Sequence, residues 1–115
     1  AIPHVQKIVQ DLEEKVRASV IEISQGGKVI SVNDLASLAH MEQRTLYRLL
    51  VRTTGLTPLK FIREIRLHEA YEILMRGEYS TVQEVAFSVG FEKSSHFSKI
   101  FEDRYGIKPS EFLNN

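Results

Sequence analysis

An all-α fold of about seven helices is predicted for this 115-residue chain by three features of its sequence. Apolar residues recur every three or four positions, the period of an amphipathic helix. Glycines and prolines fall where one such run gives way to the next, and no stretch alternates strictly enough to make a strand.

The first helix covers residues 3–25, with Val5, Ile8, Leu12, Val16, Val20 and Ile23 as its apolar stripe, and Gly26-Gly27 stops it. Ser31 followed by Asp34 is a variant of the capping box and starts a short second helix. A polar interruption from His40 to Glu42 resets the phase, and a third helix runs to about Thr54 and stops at Gly55. Pro58 suits the first turn of a long fourth helix reaching about Met75, because its fixed φ is helical and its missing N–H is not needed there. Leu59, Ile62, Leu67, Ala70, Tyr71 and Leu74 give this helix its apolar surface, and Gly77 ends it. Thr81 and Glu84 repeat the capping signal before a fifth short helix. Gly90 interrupts, a sixth helix runs to about Tyr105, Gly106 stops it, and Pro109 opens a last short helix.

The chain is long enough for one modest core, and 43% of its residues are hydrophobic. Without cysteine there is no disulfide framework, thiolate nucleophile or sulfur-rich zinc site. No run approaches the length of a membrane span or a signal peptide, so a cytoplasmic protein without membrane contact is expected. Net charge is zero, which argues mildly against a nucleic-acid partner. The distribution reverses that argument: within residues 42–60, Arg44, Arg48, Arg52 and Lys60 face a single acid, Glu42.

The chain also repeats itself. At an offset of 50, Ser31 falls on Thr81, Asp34 on Glu84, Leu35 on Val85, Ala36 on Ala86 and Met41 on Phe91. One extra residue then enters the second copy, and at an offset of 51 Leu46 falls on Phe97, Leu50 on Phe101, Gly55 on Gly106 and Pro58 on Pro109. Each copy is a capped short helix, a tight turn, a second helix and a glycine stop, the outline of a helix-turn-helix. Ala36 and Ala86 are small where the paired helices would cross. The expected layout is a leading amphipathic connector (1–28), a first helix-turn-helix (29–57), a linking helix (58–77), and a second helix-turn-helix with its closing helix (78–115), with 29–115 acting as one unit.

In the first copy, Leu46, Leu49 and Leu50 share the face that should meet the core. Arg44, Tyr47, Arg48 and Val51 share the opposite face, with Arg52 beside them. A helix lying in the DNA major groove needs long donors on that outer face, since arginine bonds guanine O6 and N7 in bidentate fashion. The corresponding residues of the second copy are Ser95, Ser98, Lys99, Glu102 and Asp103, where the two acids would repel a phosphate backbone. The second copy should therefore contribute less affinity.

The two copies, joined by "FIREIRLHEAYEIL" and closed by "VAFSVGFEKSSHFSKIFEDRYGIKPSEF", resemble the DNA-binding domain of AraC/XylS-type transcription regulators over residues 29–113. The resemblance implies two helix-turn-helix subdomains on a linking helix, entering major-groove segments about one turn, roughly 34 Å, apart. It implies base reading by Arg44, Tyr47 and Arg48 in the first copy and by Ser94, Ser95 and Lys99 in the second, with Gln43, Arg52, Lys93, His96 and Ser98 as flanking, phosphate-contacting candidates. Arg66 matches a structural position, expected to form an ion pair holding the linking helix to the first copy. His40 stands where such a turn commonly has glycine. Promoter DNA is the partner implied, with an upstream sensor or receiver module in the full protein and a monomeric state for this piece; the first residue, Ala1, points the same way.

Catalysis is not expected: the four histidines lack metal-site spacing, no glycine-rich phosphate loop follows a strand, and no cofactor or metal is called for. The competing reading is a helix-turn-helix that binds RNA polymerase or a partner subunit with little DNA affinity of its own.

Overall fold

The computed structural model describes residues 3–113. Among them are six α-helices: α1 (Pro3–Ile23), α2 (Val32–Leu38), α3 (Gln43–Thr54), α4 (Pro58–Arg76), α5 (Val82–Ser88) and α6 (Ser94–Tyr105). The seventh helix expected after Pro109 is instead a 3-10 turn, Pro109–Phe112. Four residues are too few to set up an α-helical ladder, and the tighter i to i+3 bond closes the segment.

The two short helices start on matching reciprocal caps. Ser31 Oγ accepts from the Asp34 amide at 3.1 Å while the Asp34 carboxylate accepts from the Ser31 amide at 2.9 Å. Thr81 and Glu84 make the same pair of bonds, each at 3.1 Å. These bonds satisfy amides that the first helical turn leaves without partners. The hydrogen bond from the Ser31 amide, followed by that from Lys28, holds the Asp34 carboxyl below its ordinary range. At the head of α4, Pro58 occupies the first turn and Thr57 Oγ1 accepts from the Lys60 amide at 3.3 Å.

The repeat seen in the sequence is a repeat of backbone. In each copy a 7-residue helix precedes a 12-residue one. The turn between them is closed by a bond from Met41 N to Ala36 O at 3.0 Å, or from Phe91 N to Ala86 O at 2.9 Å. The added residue lengthens the second turn, which spans 89–93 against 39–42 in the first. Both turns pass through the left-handed region, at His40 (φ 56°) and Gly90 (φ 96°). His40 is exposed, and histidine is among the residues that tolerate this conformation. Gly90 has a second reason to lack a side chain: a Cβ there would lie 3.1 Å from Ile23 Cδ1 and 3.4 Å from both Val29 γ-carbons.

A single core runs through both copies. From α1 it takes Val9, Leu12, Val16 and Val20; from α2 and α3, Leu35, Ala36, Leu46 and Leu50; from α5 and α6, Val85, Ala86, Phe97 and Phe101. The linking helix α4 touches α1, α2, α3, α5 and the closing turn. It is therefore buried on several sides, through Phe61, Ile62, Leu67, Ala70, Ile73 and Leu74. Leu59, expected on this apolar surface, is 53% exposed instead. The leading helix lies on this core, against α4 and both copies. The second copy is fastened to α4 by aromatic packing, with Tyr71 5.0 Å from Tyr105 and 5.5 Å from Phe112 between ring centroids. An ion pair between Arg104 and Glu64 at 2.6 Å spans α6 and α4.

Candidate nucleic-acid interface

α3 turns its leucines inward and its cations outward. Leu46 and Leu50 are fully buried and Leu49 is half-buried, while Gln43, Arg44, Tyr47, Arg48, Val51 and Arg52 are exposed. Spacings of three and four put Arg44, Tyr47, Arg48, Val51 and Arg52 on one side of the helix. Tyr47, at 51% exposure, shows its ring to solvent between the arginines.

Several cations elsewhere are paired within the fold. Lys28 is paired with Asp34 at 3.2 Å, Arg76 with Glu69 at 3.4 Å and also with Glu78, and Arg104 with Glu64. Those charges are already committed within the fold. Among the described residues, Arg44, Arg48 and Arg52 have no hydrogen-bond or ion-pair partner. Their five-donor forks remain available to an external acceptor. Gln43 differs, since its amide nitrogen donates to Asn33 Oδ1 at 3.2 Å and ties the start of α3 to α2. Arg48 and Arg52 also border a shallow groove whose other wall is Val5 and Gln6 on the first turn of α1.

α6 has a weaker outer face. Ser95, His96 and Lys99 are exposed, but Ser94 and Ser98 are half-buried, and the His96 ring lies edge-on to Phe91 at 6.3 Å. Glu102 and Asp103 are exposed on the same helix. Neither α3 nor α6 has a side-chain cap at its N-terminus, where Glu42 and Lys93 stand. α2, α4 and α5 are all capped by a hydroxyl.

Arg66 corrects the expected ion pair. Its terminal nitrogen donates to the Ile30 carbonyl at 2.8 Å, joining α4 to the segment before α2 without any carboxylate. Burial, with a smaller contribution from the nearby Arg63 charge, pushes its pKa down from the ordinary arginine value. Arg63 escaped the sequence reading. It lies one helical turn before Arg66 on α4, in a groove that also takes in Leu59, Lys93 and His96. The pairing of two arginines at i and i+3 on α4 was the signal available in the sequence. Among the described residues, no three histidine, aspartate or glutamate side chains converge as a metal site, and no helix is long and apolar enough to cross a membrane.

Residues 35–115 match the helix-turn-helix domain family. A solved structure of a probable AraC family transcriptional regulator from Rhodopseudomonas palustris shares 30% identity with this chain, with a TM-score of 0.76 over 93% of it and 94% of that chain. The chain belongs to the AraC/XylS family. A second AraC-type structure, a transcriptional regulator from Chromobacterium violaceum, has 27% identity and a TM-score of 0.79, covering 94% of this chain and 90% of its own. The transcriptional activator RhaS of Escherichia fergusonii is 37% identical over 84 residues, 73% of this chain and 30% of that protein. The chain spans about a third of the length of the curated relatives it matches. As a member of the AraC/XylS family it carries the DNA-binding helix-turn-helix domain of a transcription regulator.

Proposed function

We propose that this domain reads promoter DNA chiefly through α3, as the output part of a longer, non-catalytic regulator. Arg44, Tyr47 and Arg48 read base edges in one major-groove segment, and Arg52 and Gln43 hold the flanking backbone. Ser94, Ser95 and Lys99 touch the next segment, with Lys93, His96 and Ser98 on its phosphates. The observation that carries this reading is the grouping of three uncommitted guanidinium groups, with Tyr47 among them, on the one outer face of α3. The linking helix supports the two-segment geometry: its 19 residues correspond to about 28 Å of rise. The described residues measure 45 Å along their longest axis, enough to face two groove segments about 34 Å apart.

Replacing Arg48 by alanine tests the reading. A base-reading arginine contributes about 1–3 kcal/mol, and its loss relaxes preference at one base position. Arg48→Ala should weaken binding to a selected site by that amount while leaving non-specific binding nearly intact. Equal affinity for the selected site in parent and variant would remove Arg48 from the reading. A parent with no DNA affinity would instead favour the polymerase- or subunit-binding alternative.

A further inference from the structure

The groove at the junction of the two copies is a candidate for a role of its own. Its walls come from separate elements: Leu59, Arg63 and Arg66 from α4, and Phe91, Lys93 and His96 from the second turn and the start of α6. Three of these basic side chains, Arg63, Lys93 and His96, have no hydrogen-bond or ion-pair partner among the described residues. A fourth, Arg66, is bonded to the Ile30 carbonyl through its terminal nitrogen, while its Nε is buried and unpartnered. Glu92 is the one acid in the wall. Nothing in the core calls for this convergence of basic side chains, and the burial of Arg66 together with the neighbouring Arg63 charge works against the charged form there.

The position of the groove indicates what could neutralise it. Lys93 is the residue at the N-terminal cap of α6 and His96 is in its first turn. In a helix-turn-helix, the N-terminal end of the second helix meets the base edges, and the phosphates bordering the groove lie beside it. A duplex reaching α6 after α3 passes its backbone over the junction between the two copies. Leu59, left exposed on the first turn of α4, supplies an apolar wall beside the cations.

We propose that this groove is a backbone clamp, in which Arg63 of the linking helix, with Lys93 and His96, holds a phosphodiester of the duplex between the two major-groove segments. The inference rests on the DNA-reading function above and adds α4 as a direct contact. The linking helix then does more than set a spacing. Because the clamp is built from α4 and the second copy together, it engages only when both lie on the same duplex, and so couples docking of the weaker α6 to that of α3.

Arg63→Ala and Arg63→Lys, compared with the parent across a salt series, provide the test. Each phosphate contact contributes about 0.9 to the slope of log affinity against log salt. Loss of one contact therefore makes the parent-to-variant affinity ratio shrink about 3.5-fold as salt rises from 50 to 200 mM. Arg63→Ala should show that change on specific and unrelated duplexes alike, and Arg63→Lys should restore the slope. A second arm places neutral methylphosphonate linkages one at a time between the two blocks of the site. One linkage should weaken the parent and leave Arg63→Ala unaffected, whereas excess inorganic phosphate should compete no better than its ionic strength predicts. An unchanged slope in a folded Arg63→Ala, or equal methylphosphonate losses in parent and variant, overturns the clamp. Phosphate competing beyond its ionic strength reassigns the groove to a free anion and equally overturns it. A parent without salt-dependent DNA binding refutes the underlying function instead, so the two failures are distinguishable.

Discussion

Gly90→Ala and His40→Gly should have opposite consequences although the two residues occupy the same place in the repeat. The left-handed conformation at Gly90 costs about 1–2 kcal/mol for a residue with a Cβ. A smaller unfolded-state entropy returns about 0.4–1 kcal/mol of that. The new Cβ would also meet Ile23 Cδ1 at 3.1 Å. Moving that side chain from its rotamer adds about 0.5–1.5 kcal/mol. The net loss is about 0.5–3 kcal/mol, centred near 2, and at about 4 °C per kcal/mol for a chain of this length the Tm should fall by about 2–12 °C, centred near 8 °C. For His40→Gly, relief of a mild strain and the added unfolded-state entropy nearly cancel, so its Tm should stay within about 2 °C of the parent. Thermal unfolding followed by circular dichroism measures both. A Gly90→Ala domain that melts with the parent would refute the argument that this turn is held against α1.

Three further outcomes follow from particular contacts. Arg66→Ala loses a charge-assisted bond to a backbone carbonyl and leaves that carbonyl unsatisfied, so urea unfolding should show a loss of about 1.5–3 kcal/mol; a neutral effect would mean that water replaces the bond. Asp34 has a lowered pKa in the folded chain, so its contribution is complete above the ordinary carboxylate range and is lost as pH falls through the lowered value. The difference in unfolding midpoint between Asp34→Asn and the parent should therefore be largest at neutral pH and vanish in acid, and a difference that persists in acid contradicts the capping assignment. Glu102→Gln combined with Asp103→Asn removes two exposed negative charges from the outer side of α6. With each carboxylate about 10 Å from a phosphate, repulsion in water is about 0.4 kcal/mol. Affinity measured by fluorescence anisotropy should then rise about two- to fourfold at low salt and converge with the parent at high salt; no gain at low salt would place these acids away from the duplex.

What the sequence revealed was local. The caps at Ser31 and Thr81, the stop at Gly55 and the start at Pro58 depend on neighbours within one turn, and the repeat fixed how those pieces recur. The outward direction of the α3 arginines followed from the burial of Leu46 and Leu50 on the same helix. What stayed hidden depended on contacts distant in sequence. α4 is enclosed by several elements, so a one-sided stripe misplaced Leu59 and omitted Phe61 and Ile73. The partner of Arg66 is a main-chain oxygen 36 residues away, which no charge pattern can announce. Arg63 reads as an ordinary surface cation until the fold brings Lys93 and His96 to it.

The measurement that tests the account most directly is selection of this domain against a randomised duplex pool at moderate salt, repeated with Arg48→Ala. The account predicts one strongly and one weakly enriched block about one helical turn apart, with a position of the strong block erased in the variant. A pool without enrichment, or a strong block that Arg48→Ala leaves untouched, would contradict the claim that α3 is the principal reader.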